Sequence, residues 1–120
     1  MHQATDLLVW GIIVHLVADW LLQTEWMATF KMNLRHPAAW VHSGIHTVGF
    51  CFIFIWPLAV LIGFTHLLID TRKPLLWWMK VIKQMPADVH FPIVEVALDQ
   101  VMHVTVVAGA ALCSVWLGLS

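Results

Sequence analysis

The chain has 120 residues, the size of one domain, and is 61% hydrophobic with only 11% charged residues. A soluble domain usually carries about 25% charged residues, and so few charges cannot cover a water-facing surface on a chain this small, whereas lipid requires no polar cover. The net charge is −1 and no basic run is present, so nothing points to a nucleic-acid partner.

The first apolar segment runs from about Thr5 to Thr24, long enough to cross roughly 30 Å of hydrocarbon. It lacks a basic leader and contains His15 and Asp19, so it is expected to stay in the mature protein rather than serve as a signal peptide. A polar loop follows, from Glu25 to Pro37. The second apolar segment runs from about Ala38 to Trp56, and the third, after a break at Pro57, from about Leu58 to Thr71. Together these two are long for one span and short for two. The expectation is a pair of short helices joined tightly at Trp56-Pro57, the alternative being a third helix that continues with a kink past Pro74. From Arg72 to Pro92, Lys80, Lys83 and Asp88 mix with Leu75, Leu76, Trp77, Trp78 and Met79, which reads as an amphipathic piece lying in the interface. The fourth apolar segment runs from about Ile93 to Leu119. Eight Trp and no Tyr also suit a membrane protein, because Trp collects at the interfaces. The expected fold is therefore all-α: one integral membrane domain, residues 1–120, forming a four-helix transmembrane bundle. Its spans are about 5–24, 38–56, 58–71 and 93–119, with the interfacial amphipathic segment, about 72–92, between spans three and four. Cys51 and Cys113, both in apolar stretches, read as small buried hydrophobes.

The basic residues orient this bundle. Lys31 and Arg35 lie between segments one and two; Arg72, Lys73, Lys80 and Lys83 lie between three and four. In an up-down bundle these connections share one side, which the positive-inside rule makes cytoplasmic, with both termini outside.

Each apolar segment holds one pair of metal-capable residues four apart: His15 and Asp19, His42 and His46, His66 and Asp70, Asp99 and His103. That spacing puts two side chains on one helix face, one turn apart, and lets a helix give two ligands to a metal. With eight His and seven acidic residues in the chain, a random scatter gives about two such pairs. The sequence exceeds this with the four above, Glu95–Asp99 and His2–Asp6. The pairs fall late on segments one and three and early on two and four, which in an antiparallel bundle is a single level in the cytoplasmic half. Eight ionisable residues facing lipid would be untenable, since each costs a few kcal/mol even on the lenient scale. They must face inward and pair with one another, bind metal, or line a wet cavity.

Five imidazoles and three carboxylates suit one or two transition-metal ions, zinc first and iron, manganese, nickel or copper also possible, better than calcium or magnesium. Eight ligands exceed one tetrahedral zinc and fit two metals about 3.5–4 Å apart. Gln23 and Gln100 are placed to orient ligands. Glu95, one turn before Asp99, is a candidate general base, and Lys31 and Lys73 are candidate phosphate ligands near the site mouth. His36 and His90 are expected in solvated loops, and His2 and Asp6 receive no role.

The order His15-x3-Asp19 with Gln23, His42-x3-His46, His66-x3-Asp70 with Lys73, and Asp99-Gln100-x2-His103 resembles a family of small bacterial and phage multi-span membrane proteins grouped as a domain of unknown function. The resemblance covers most of the chain. It implies a bacterial inner-membrane location and supplies no activity. There is a looser similarity to membrane-bound metal-dependent hydrolases, which also place His and Asp on short spans.

The functional expectation is a metal-dependent hydrolase acting on a phosphoester or similar bond at the cytoplasmic leaflet, with Lys31, Lys73 or Arg72 holding the anionic group. Its partners would be the bilayer itself and a lipid or phosphorylated small-molecule substrate. A metal-ion or proton transporter is the first alternative, though beyond His46 and His103 only Thr47, Cys51, Thr105 and Ser114 are polar. The second is a structural metal-binding subunit, as a homo-oligomer or within a larger membrane complex.

Overall fold

The computed structural model describes residues 3–86 and 91–119. Among these the chain is all-helical, with six α-helices and no strand. Helix α1 spans Ala4–Leu16 and continues into a π-helical turn over Val17–Leu21, closed by the Leu22 N–H donating to the Val17 carbonyl at 3.0 Å. Helix α2 (Glu25–Phe30) starts at Thr24, whose hydroxyl accepts from the Met27 N–H, a standard cap. Helices α3 (Pro37–Phe50), α4 (Trp56–Asp70), α5 (Lys73–Val81) and α6 (Pro92–Trp116) all carry proline in their first turn, where the missing N–H costs nothing and the fixed φ suits the helix.

Proline thus punctuates the middle of the chain. The α3–α4 connection is a tight turn over residues 51–55, and α4 begins at Trp56-Pro57. The third apolar segment does not continue through Pro74: α4 ends at Asp70, and Arg72 takes a left-handed conformation, φ 64°, that turns the chain before α5. The second segment's helix stops at Phe50 rather than Trp56, because the turn consumes the difference. Among the described residues of the expected interfacial stretch, α5 forms its first part and Pro92 opens α6; Asp88 and His90 lie outside the described residues, as does His2.

Helix α1 packs on α6 and α3, α3 on α4, and α4 on α6, while α5 folds back against α4 and α6. The α3–α4 pair approaches closely at Gly63, where an added Cβ would overlap the Thr47 hydroxyl. Two helical stretches, Ala4–Leu21 and Pro92–Trp116, are long and apolar enough to cross a membrane, and only 28% and 22% of their apolar windows are buried within the protein. Helices α3 and α4, with 14 and 15 residues, reach about 21–23 Å at 1.5 Å per residue, short of a full hydrocarbon core.

The distribution of polarity is inverted relative to a water-soluble bundle. Trp10, Trp20, Phe52, Trp56 and Trp116 are each more than half exposed, whereas His15, His42 and His46 are fully buried. Leu7, Phe50, Phe54, Ala59, Ile62, Val107, Ala110 and Ala111 form an apolar core. The buried His and Asp side chains form a second, polar part of the interior, and Met27, Ala38, Ala39, Leu75 and Met79 are further buried apolar residues on α2, α3 and α5. Cys51 and Cys113, expected as buried, are both free and exposed, Cys51 in the 51–55 turn and Cys113 on α6.

Candidate metal centre

Four helical segments deliver the eight paired residues to one place. Asp19, carried on the π turn of α1, lies at its centre: its Oδ1 is 3.0 Å from His42 Nε2, 3.6 Å from His46 Nε2 and 3.9 Å from His66 Nε2. Asp70, at the end of α4, is the second hub. Its Oδ2 is 3.1 Å from His66 Nδ1 and 3.4 Å from His42 Nε2, and its Oδ1 is 3.3 Å from His103 Nε2. Ring centroids lie 3.7 Å apart for His46–His66 and 4.2 Å for His66–His103. Antiparallel packing of α1, α3, α4 and α6 makes this possible, because late positions on one helix meet early positions on the next.

Two groups emerge with donor atoms within 4.8 Å of one another: Asp19, His42, His46 and His66; and His66, Asp70 and His103. They share His66, which faces Asp19 through Nε2 and Asp70 through Nδ1. Although these atoms are close, many do not align as hydrogen bonds. Asp19 Oδ1, both His42 nitrogens, His46 Nε2, both His66 nitrogens, both Asp70 oxygens and His103 Nε2 are buried without a hydrogen-bond partner. Buried polar atoms are nearly always paired. Eight of these atoms, all but His42 Nδ1, lie at ion-pair distances from one another, an arrangement that could hold a cation as well as a set of His/Asp ion pairs. The donor set, imidazole with carboxylate, suits a transition metal.

The ring orientations of His46 and His103 fit the same role. The Nδ1–H of His46 donates to the His42 carbonyl at 3.1 Å, and that of His103 to the Asp99 carbonyl at 2.7 Å. Each bond places a proton on Nδ1, so that in the neutral ring the Nε2 lone pair faces the cluster, the usual way a backbone carbonyl orients a ligating histidine.

His15 and Asp99 stand outside both groups. His15 Nε2–H donates to Gln100 Oε1 at 3.0 Å, and the Gln100 amide nitrogen donates to Asp19 Oδ2 and Asp99 Oδ2, each at 3.2 Å. The two carboxylates fix the amide's orientation, since only its nitrogen can donate to both. Gln100 therefore ties three of the eight residues together. Gln23 lines the adjoining cleft, with Oε1 buried and unpartnered.

That cleft, about 150 Å³, is lined by Asp19, Trp20, Gln23, Lys31, Arg72, Val96, Asp99 and Gln100. It brings Lys31 and Arg72 to the site's mouth; Lys73 is exposed and does not line it. Glu95 is buried, and its Oε2 accepts from Arg72 Nη1 at 3.1 Å. This ion pair, between residues 23 apart, was not visible in sequence spacing. His36, expected in a solvated loop, instead stacks on Phe30 at 4.1 Å while its Nδ1 accepts from the Ala38 N–H, capping α3. The site also abuts a void of only about 10 Å³, bounded beyond His15, His66 and His103 by Thr65 and the apolar Phe50, Ile62, Ile69, Val106 and Val107, no larger than the space one water needs.

Neither a search of curated proteins nor one of solved structures finds a match to the chain. The family described as "Protein of unknown function (DUF3307)" matches residues 7–120. The eight paired residues and Gln100 all lie within that matched region, and the chain belongs to the DUF3307 family.

Proposed function

We propose that this protein is an integral membrane bundle whose His/Asp centre binds transition metal, zinc first with iron or manganese as alternatives, and hydrolyses a phosphoester or similar bond at the cytoplasmic leaflet. The observation that carries the reading is the pairing of two adjacent, partly orphaned His/Asp groups with a cleft that reaches Asp19 and is flanked by Lys31 and Arg72. The bilayer setting is supported by the inverted polarity of the bundle. Helices α1 and α6 would be full spans, with the short α3–α4 hairpin completing a four-segment bundle. Lys31, Arg35, Arg72, Lys73, Lys80 and Lys83 would face the cytoplasm and both termini the outside.

In this reading Asp19, His42, His46 and His66 hold one ion and His66, Asp70 and His103 a second. A bound divalent metal supplies acidified water and charge neutralisation. The protein does the rest. Asp19 is the ligand that the cleft reaches, so a substrate in the cleft would meet the ion that Asp19, His42, His46 and His66 would hold. Gln100 holds Asp19 against rotation. Arg72, set in place by Glu95, and Lys31 bind the anionic group. Glu95 thus acts on Arg72 rather than as a general base, and Lys73 is left as a membrane-surface charge.

The four-ligand group favours a second reading, since four protein ligands complete a closed tetrahedral site. The chain would then be a structural metal-binding subunit of a larger complex. The apolar core beyond His46 and His103 counts against transport. Elemental analysis of the purified protein, with phosphate release from lipid and soluble phosphoesters, tests the proposal. One or two metal ions per chain and metal-dependent release are expected, with both lost in the His42→Ala/His46→Ala double variant. Metal without turnover supports the structural reading; a folded, metal-free protein indifferent to chelator refutes the metal centre altogether.

A further inference from the structure

The cleft beside Asp19 has three unlike sides. Its floor is polar, formed by Asp19, Asp99 and Gln100. Lys31, at the end of α2, and Arg72, at the α4–α5 junction, bring positive charge to it. The remaining margin is apolar and turned outward: Trp20 is 63% exposed and Val96 47%. A soluble phosphoester arriving from water needs no apolar doorway. In the bilayer orientation proposed above, Trp20 on the π turn that extends α1 and Val96 on α6 sit on lipid-facing surfaces, so the cleft opens sideways into the leaflet as well as to water.

We propose that this cleft receives the phosphate headgroup of a membrane lipid, which enters laterally between α1 and α6 past Trp20 and Val96 and is held by Lys31 and Arg72. The inference rests on the metal-centre reading and names the substrate class for that site. The charges explain the dependence. Asp19 and Asp99 offset Lys31 and Arg72 among the lining residues, and Arg72 also pairs with Glu95. The cleft therefore has little net attraction for an anion until a cation on Asp19 neutralises that carboxylate. Headgroup binding should follow metal loading. The guanidinium keeps donors to spare, because Arg offers five N–H groups and the Glu95 contact uses one of them.

The test uses the full chain, zinc-loaded, in phosphatidylcholine vesicles that contain a minor fraction of phosphatidic acid with brominated acyl chains. Brominated phosphatidylcholine serves as the control lipid, and metal content is measured on the same vesicles. Bromine quenches nearby tryptophan, and the difference between the native protein and a Trp20→Phe variant isolates the Trp20 signal. Brominated phosphatidic acid is expected to quench Trp20 more strongly than the control. Lys31→Gln should weaken the apparent affinity roughly fivefold, the worth of one cation beside an anionic lipid, with helicity and elution volume unchanged. Excess inorganic phosphate should leave most of the quenching in place. Equal quenching by both lipids, or no effect of Lys31→Gln, overturns the lateral lipid site. Full displacement by inorganic phosphate does so too, in favour of a soluble anion. A metal-loaded protein that fails these tests leaves the metal centre standing, whereas a chain that takes up no metal overturns both.

Discussion

Replacing Gln100 by leucine removes one side chain of similar size and three hydrogen bonds: from His15 Nε2, and to Asp19 Oδ2 and Asp99 Oδ2. The three partners do not suffer equally. Asp99 lines the cleft with its side chain 14% exposed, so water replaces the lost donor there. Asp19 lines the cleft too but is only 7% exposed, and it gains torsional freedom at the hub of the four-ligand group. His15 is fully buried and has no other hydrogen-bond partner for Nε2, so it bears the cost of an unsatisfied buried donor, about 1–3 kcal/mol. Loss of an outer-shell partner typically lowers metal affinity about 10- to 100-fold. Chelator competition on the purified variant should therefore show a zinc affinity reduced by one to two orders of magnitude. Thermal unfolding of the metal-free form should show a loss within the 1–3 kcal/mol range. An affinity within twofold of the native value would refute the role given to Gln100 in holding the centre.

Two further outcomes follow from the packing and the charge distribution. Gly63→Ala forces a methyl group into the Thr47 hydroxyl and should destabilise the α3–α4 hairpin by about 1–3 kcal/mol, measured by thermal unfolding in detergent, with partial recovery when Thr47→Ala is added. Reporter fusions at the C-terminus and within the loop holding Arg35 should report opposite sides, the C-terminus outside and the loop cytoplasmic; a cytoplasmic C-terminus reverses the assignment of the leaflet.

The helical nature of the chain and the meeting of the four His/Asp pairs were legible in the sequence for a simple reason. Ionisable residues four apart on apolar helices have few places to go except one another. The roles within the cluster were not legible. His15 and Asp99 obey the same spacing as His66 and Asp70, yet Gln100 draws them into a supporting network, and only the side-chain geometry separates the two kinds. Arg72 and Lys73 are adjacent in sequence, but the left-handed backbone at Arg72 turns one into the cleft and leaves the other exposed. Helix ends were less visible than helix existence, because apolar composition continues through the 51–55 turn and conceals the stop at Phe50.

The π turn at Val17–Leu21 has a consequence for how the family can vary. Such a turn amounts to one residue inserted into an α-helix, and here the insertion falls where Asp19 must reach His42, His46 and His66 while the helix before it stays seated on α6. Length between His15 and Gln23 is therefore constrained separately from side-chain identity. A relative one residue shorter here would have a plain α-helical end, and its carboxylate would meet the cluster at a different angle and height along the helix axis. Such a relative would have to adjust the seating of this helix against α3 and α4 to keep the four-ligand group.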